Sequence, residues 1–396
     1  MGPPEQYIQL LDASNGLRVA VVKVGFGQVS INGDLGYPEE LTNSRVMLPQ
    51  LLPTDTVISA HANSELRLTL PWPAEIYGAM NSSTKGYGGQ CEFWIDHHWI
   101  GDLHIACDTT PVIRLHPGEY QLLATGVPNK HGKHALWGIR RIPKIPRLGL
   151  TTVGCYYEKD VKEALKWLHL TSAKQGMFLN VFGVGLAYQC HSLSKIIRLA
   201  EWLKQVPHDY LLFMDGRDSF LQGGEDEIVQ GITEFDDNVI GAERCLWPIA
   251  AWESRFDQTD QRFPNSGLFA GTRQNVLDDV NSLVKVRADI MAGNVPDWIK
   301  SDNSSNLYDN DQAVWHAAML LGRVKISIDH LSKLFINPTC LDTRFTGTDI
   351  KVANGRLTSR WGTSAPCVHF PGVGANRMEQ WIGALGICRD IRKPSV

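Results

Sequence analysis

The chain has 396 residues, more than one ordinary domain and well within two or three, and 43% of them are hydrophobic, enough for a sizeable core. A formal net charge of −4, with no run of Lys or Arg, lacks the electrostatic footprint of a nucleic-acid binder, so no nucleic-acid partner is expected. The eight cysteines (91, 107, 155, 190, 245, 340, 367 and 388) form no C-x-x-C pair and match no zinc spacing, which favours buried free thiols in a reducing compartment.

The opening stretch MGPPEQYIQLLDAS has neither the basic n-region nor the long apolar h-region of a secretory signal, and MGPPEQ lacks the Ser or Thr of a myristoylation motif. No apolar stretch reaches the ~20 residues of a membrane span. The expectation is a cytoplasmic protein with no membrane span.

From Tyr7 to about Arg141 the sequence is written in short strands: QVSIN, ELRLTL, CEFWID, HWIGDLHI, PVIRL and YQLLATG, separated by Gly, Pro, Asn, Asp and His. WIDHHWIGDL predicts two strands around a tight turn, and LHPGEYQLL another pair joined by a Pro-Gly turn. Regular turn signals with almost no helical periodicity predict an all-β, sandwich-like accessory domain over residues 1–138. Trp72, Trp94 and Trp99 offer surfaces for sugar stacking, although tryptophans of a β-sandwich more often belong to its core. Adjacent His97 and His98 should point to opposite faces of a strand, so with His104 they read as a hairpin surface, not a metal site. IRRIPKIPRLG, residues 139–149, is the expected linker.

The pattern then changes to alternating strands and helices, a second domain over residues 150–396. LGLTTVGCY reads as a strand, and EKDVKEALKWLHLTSAKQG as a helix with Val161, Ala164, Leu165 and Leu168 on one face. MFLNVFG is a strand, and SLSKIIRLAEWLKQV an amphipathic helix capped by Ser192 or Ser194. DYLLFM, EDEIVQGITEF and NVIGAE continue as strand, helix and strand. This alternation predicts βαβ units and a mostly parallel sheet, at whose carboxyl edge ligands bind.

DYLLFM delivers Asp215 and Asp218 to that edge. Read alone, LLFMDGRDSF is a strand followed by a polar turn. Two carboxylates three apart also suit one hard divalent cation, Mg²⁺ or Mn²⁺, which takes oxygen ligands, waters and a substrate phosphate.

Four motifs follow in order: GAERCLWP (241–248), RFPNSGLFAG (262–271), DNDQAVWHAAML (309–320) and CVHFPG (367–372). Taken with MDGRD, the set resembles the glycosyltransferase domain of the procollagen lysyl hydroxylase and collagen glycosyltransferase group, over residues 148–382. The resemblance implies a GT-A-like, Rossmann-type α/β fold, a UDP-sugar donor, and Mn²⁺ (or Mg²⁺) as cofactor. It implies that Asp215 and Asp218 are the Asp-x-x-Asp metal ligands and that His369 is the third. It matches Glu243, Trp247 and Pro248 to a Glu-x-x-x-Trp-Pro segment beside the sugar. Asn265, Ser266 and Gly267 match an Asn-Ser-Gly turn, and Asp311, directly before Gln, is the leading active-site carboxylate outside the metal motif. Lys195 and Arg377, together with Asp215 and Arg217, are expected around the donor diphosphate.

Each residue alone has a plainer account. His369 reads as a structural histidine, Trp247 as a core aromatic, Asn265 as a turn residue, Asp309 or Asp311 as a helix cap, and Lys195 and Arg377 as solvated cations. The chain also departs from the group's pattern. Gly216-Arg217 stands where an aromatic usually lies between the aspartates, and His369-Phe-Pro-Gly-Val-Gly replaces a His-Gly-Asn-Gly run followed by Lys.

The expected function is transfer of a hexose from a UDP-sugar to a hydroxyl-bearing acceptor, a glycan or glycosylated protein. The alternative is a non-catalytic glycan-binding or scaffold protein on a degenerate transferase fold. A metal-dependent nucleotidyltransferase would show an early phosphate-binding Gly-rich loop, and GCYYEKD offers none.

Overall fold

The computed structural model describes residues 8–11, 18–23, 30–31, 56–61, 65–81, 91–103, 109–126, 134–154, 158–184, 194–257, 261–300, 310–338, 350–372 and 375–387. His104 and Asp309 lie outside them. The chain divides into two compact units: Met1–Pro146 with Gly176–Phe178, and Arg147–Gln175 with Leu179–Val396. Among the described residues no helix is long and apolar enough to cross a membrane.

The first unit is built of antiparallel strands: β1 (Ile8–Leu11), β2 (Arg18–Lys23), β3 (Ser30–Ile31), β4 (Thr56–His61), β5 (Glu65–Leu70), β6 (Ala74–Asn81), β7 (Cys91–Ile95), β8 (His98–Leu103), β9 (Ile113–Leu115), β10 (Gly118–Gly126) and β11 (His134–Arg141). They form two sheets, ordered β1-β2-β5-β10-β7-β8 and β3-β4-β11-β6-β9. Alternation does the sorting: in ELRLTL, Leu66, Leu68 and Leu70 are buried while Arg67 between them is exposed. Phe93 of the first sheet meets Trp137 of the second edge-on at 5.1 Å, in space left by Gly78, where a Cβ would lie 2.2 Å from the Phe93 ring.

The hairpin read in WIDHHWIGDL is present, with β7 and β8 paired and Asp96 in the left-handed conformation at its turn. LHPGEYQLL is different. β9 and β10 belong to different sheets, so Pro117-Gly118 carries the chain between sheets and does not close a hairpin. Trp72 and Trp99 are buried, Trp94 is half-buried, and His98 is buried while His97 is not.

Strand β11 runs through Arg141 and the next strand, β12 (Leu148–Val153), opens the second unit. There follow α1 (Glu158–Ala164), α2 (Lys166–Lys174), β13 (Leu179–Phe182), α3 (Ser194–Leu203), β14 (Tyr210–Met214), β15 (Ser219–Leu221), α4 (Glu225–Thr233), β16 (Asn238–Glu243), β17 (Phe263–Thr272), α5 (Arg273–Met291), α6 (Asp297–Lys300), α7 (Asp311–Leu320), β18 (Ile326–Asp329), β19 (Phe335–Ile336), β20 (Ile350–Ala353), β21 (Arg356–Ser359), β22 (Cys367–His369) and α8 (Ala375–Ala384). The helix expected over EKDVKEALKWLHLTSAKQG is two helices meeting at Leu165; of the face read from the spacing, Val161, Leu165 and Leu168 are buried and Ala164 is half-buried.

The central sheet, β13-β12-β14-β17-β16-β18, is mixed where a mostly parallel one was expected. β12 is parallel to β13 and β14, and β16 to β18, but β17 runs antiparallel to both its neighbours. The reason lies after β16. A parallel return needs a crossover, usually a helix. The chain instead makes a short 3₁₀ turn (Ala250–Arg255) and re-enters the sheet from the same edge. One face is covered by α3, α5 and α7, whose Ile196, Leu199, Val280, Leu283, Val314 and Trp315 pack on Leu211, Phe213, Ile240 and Phe269. A small sheet, β15-β22-β19, carries the rest of the edge, with Phe220, Ile336, Val368 and Phe370 in its own core.

Candidate functional site

Strand β14 buries Leu211 through Met214 and then releases Asp215, whose side chain is 35% exposed. The backbone N–H of Asp215 donates to the Gly267 carbonyl at 2.8 Å, so the first aspartate is anchored to β17. Gly216 makes room for its neighbours: a Cβ would lie 2.2 Å from Leu165 Cδ2 and 2.8 Å from Thr152 Oγ1, so a side chain here would have to displace them. That tight passage turns Arg217 out to solvent and brings Asp218 back, half-buried.

His369 arrives from 151 residues later (369 − 218) by strand pairing. β15 and β22 are antiparallel with Ser219 opposite His369, and the N–H of Phe370 donates to the Asp218 carbonyl at 2.8 Å. His369 Nε2 lies 3.3 Å from Asp218 Oδ1 and 4.0 Å from Asp215 Oδ2. Burial opposes the charged imidazole, but Asp218, then Asp215 and Glu243, outweigh it and raise its pKa above the ordinary value. One donor atom from each of Asp215, Asp218 and His369 lies within 4.8 Å of the others. Two carboxylates and one imidazole form a donor set that fits Mn²⁺ better than Mg²⁺, since the harder Mg²⁺ prefers oxygen to imidazole nitrogen. Gly267 keeps the cradle open, since a Cβ there would lie 2.3 Å from His369 Cε1 and 2.8 Å from Asp215 Oδ2.

Lys195, in the first turn of α3, reaches the same cluster. Its Nζ lies 2.6 Å from Asp311 Oδ2 and 3.2 Å from Asp215 Oδ1. Burial favours the neutral amine, yet Asp215 and Asp311 together hold the ammonium above its ordinary pKa. The lysine expected at a diphosphate is thus held by two carboxylates. Asp311 is 1% exposed and is the first residue of α7. The cap is its neighbour: Asn310 Oδ1 accepts from the Ala313 N–H at 2.9 Å, which leaves the Asp311 carboxylate to Lys195.

The remaining expected residues form a buried polar network. Glu243 closes β16, and its Oε1 accepts from Asn265 Nδ2 at 2.6 Å and from Gln312 Nε2 at 2.9 Å. Burial raises the Glu243 carboxyl to a pKa of about 7, against the pull of Asn265, His369 and Gln312. Asn265 Oδ1 accepts from the Gly267 N–H at 2.9 Å. Asn265, Ser266 and Gly267 lie within strand β17, where a turn was expected, and Asn265 uses both its oxygen and its amide internally. Trp247, half-buried in the loop after β16, precedes a cis proline, and its carbonyl accepts from Gln312 Nε2 at 2.9 Å. Arg217 stands apart in solvent, and Arg377 falls in α8 with its side chain outside the described residues.

Two residues of the site were not anticipated. Gln312 ties Glu243 to the Trp247 loop; its signal was an amide embedded in a helix whose residues from Asp311 to Ala318 are all buried. Asn337, whose Oδ1 meets His369 Nδ1 at 3.2 Å, sits in the unremarkable stretch FINP.

Residues 157–289 match the family model of the PLOD GT domain, the glycosyltransferase domain of procollagen lysyl hydroxylase. The match spans roughly a third of the chain and takes in Lys195, Asp215, Asp218, Glu243 and Asn265; Asp311, Asn337 and His369 lie beyond it. No curated protein matches the chain.

Proposed function

We propose that the second unit is a GT-A-like, metal-dependent glycosyltransferase that moves a hexose from a UDP-sugar to a hydroxyl acceptor. The observation that carries this reading is the convergence of Asp215, Asp218 and His369 on one point, from two strands far apart in sequence, beside a segment that matches a glycosyltransferase domain. These three side chains would hold Mn²⁺ or Mg²⁺. When bound, the cation supplies Lewis-acid stabilisation of the charge that builds on a departing diphosphate.

The chain's own groups do the rest. Lys195 adds a fixed positive charge next to Asp215, and its ion pair with Asp311 holds that buried carboxylate in one orientation. Asp311 is the carboxylate we assign to orienting the transferred sugar. Glu243, Asn265 and Gln312 act through shape: they fix the Trp247 loop against the strand ends. Trp247 offers the aromatic wall for the sugar, and exposed Arg217 the cation for the nucleotide. The N-terminal unit, residues 1–138 in the domain reading, is accessory, with residues 139–149 as the connection. The cysteine pattern, with no C-x-x-C pair, favours a reducing compartment, and we read the location as cytoplasmic.

The test is a donor-hydrolysis screen with UDP- and GDP-sugars, with and without Mn²⁺, alongside calorimetry with the free nucleotides. Mn²⁺-dependent turnover of a UDP-sugar is the expected result. Nucleotide-free behaviour throughout, with no turnover of any donor, removes the enzyme and leaves the scaffold alternative.

A further inference from the structure

The imidazole of His369 has two nitrogens, and only the one carrying a lone pair can ligate a cation. Which one that is depends on the partner of the other. Here the partner is Asn337, and its amide orientation follows from a second bond. Asn337 Nδ2 donates to the Ala242 carbonyl at 3.1 Å, and a carbonyl can only accept. The amide oxygen therefore faces His369 Nδ1, at 3.2 Å, and must accept from it. Nε2 is turned toward Asp218 and Asp215, which favour a second proton there in the absence of a cation; a cation displaces that proton and takes the Nε2 lone pair while Nδ1 keeps its own.

The surrounding strands are shaped to admit this amide. The β16–β17 register shifts between Ile240 and Gly241, and a Cβ on Gly241 would lie 2.6 Å from Asn337 Nδ2. Any side chain at 241 would push Asn337 away from the ring. Asn337 is 4% exposed and His369 2%, so water has little access to replace the bond.

We propose that Asn337 is a positioning residue that fixes the Nδ1-protonated tautomer of His369 and aims Nε2 at the cation, a role that rests on the metal reading above. Metal-bound histidines commonly need such an acceptor, and its removal typically weakens metal affinity by about 10–100-fold. Gly241 supplies the room and the Ala242 carbonyl supplies the lock.

Two measurements test it. The first uses ¹⁵N-histidine-labelled protein loaded with diamagnetic Zn²⁺ in place of Mn²⁺, with the His369 signals identified by their loss in His369→Gln. Long-range ¹H–¹⁵N spectra should show the proton on Nδ1 and the metal on Nε2; a ring that ligates through Nδ1 and is protonated on Nε2 overturns the proposal. The second is Mn²⁺ titration followed by electron paramagnetic resonance. Asn337→Leu should lower affinity by about 10–100-fold, while Asn337→Asp, which keeps the acceptor, should recover part of it. Equal affinity in wild type and Asn337→Leu sinks the idea. If Asn337→Leu fails to fold, Asn337→Asp and the wild-type tautomer still decide. Should wild type bind neither Mn²⁺ nor Zn²⁺, the metal reading falls, while a solvent-protected Nδ1–H in the metal-free spectra, lost in Asn337→Leu, still tests the Asn337–His369 bond.

Discussion

Asp215 and Glu243 close strands on either side of β17, yet the protein treats the two carboxyl groups in opposite ways. Asp215 is 35% exposed and is met by Lys195 and His369. Glu243 is 5% exposed and hydrogen-bonds to two neutral amides, those of Asn265 and Gln312. A half-open carboxylate among cations retains unfilled coordination toward solvent, which is what a metal and a diphosphate need. A sealed carboxyl among amides is desolvated and structurally committed. The contrast separates residues that would take a ligand from residues that hold the ligand-taking ones in place.

The largest effect should come from the open side. Asp215→Asn or His369→Ala removes a ligand atom from the cluster, and each should cut Mn²⁺-dependent donor turnover on the order of a thousandfold, since several kcal/mol of charge stabilisation are lost at 1.36 kcal/mol per tenfold. Thermal unfolding of the metal-free variants should change far less. Near-wild-type turnover in either one would break the comparison, because the open carboxylate would then be as structural as the closed one.

Glu243 should show the reverse pattern, an effect on stability with a pH dependence. Its folded pKa of about 7 lies above the ordinary 4.5, so the fold favours the protonated carboxyl. Its destabilising contribution is absent below about 4.5, grows as pH rises, and is fully present above about 7. Glu243→Gln should therefore stabilise the metal-free protein on the order of 2 kcal/mol at pH 8 and by little at pH 4.5. Denaturant unfolding across that range reads the difference. A gap that does not change with pH would show that Glu243 is no more burdened by burial than Asp215.

A smaller loss is expected from Gln312→Leu. The substitution keeps the bulk but leaves the Glu243 carboxyl with one amide fewer and the Trp247 carbonyl without its 2.9 Å donor. Stability should fall by about 1–2 kcal/mol, the size of an unsatisfied buried group. The metal cluster, which Gln312 does not touch, should bind Mn²⁺ as in wild type. Weakened Mn²⁺ binding in this variant would merge the two regions into one.

The open side was the more legible in the sequence. Asp215 and Asp218 follow a continuous apolar strand, and spacing alone brings both to one edge. His369 needed the family resemblance, because its proximity comes from the β15–β22 register and nothing local encodes it. The closed side was readable as residue identities but not as roles. Asn265 was expected in a turn, whereas β17 extends through it and its amide is consumed by Glu243 and Gly267. Gly241 and Asn337 were invisible, since their meaning is a side chain entering space left by a glycine 96 residues away (337 − 241). The antiparallel β17 escaped for a related reason: periodicity identifies a strand but carries no direction.

The smallest structural effect belongs to Arg217, the residue that occupies the aromatic's place in the group's pattern. Gly216 beside it is walled in by Leu165 and Thr152, so the nearest position able to carry a long side chain is 217, and that side chain is exposed. Exposed, it contributes little to the fold, and Arg217→Ala should leave stability within about 0.5 kcal/mol. A guanidinium can still stack on a base or fork onto a phosphate. If it does so, Arg217→Ala should raise the KM for the donor about 10–100-fold, the loss of one charged hydrogen bond of about 1.5–3 kcal/mol, with kcat nearly unchanged. Arg217→Tyr, which restores the aromatic, should recover affinity if stacking is the contact and should not if phosphate is. Steady-state kinetics on the three proteins distinguish these outcomes, and an unchanged KM in both variants places donor recognition wholly on the cluster that Asp215 anchors.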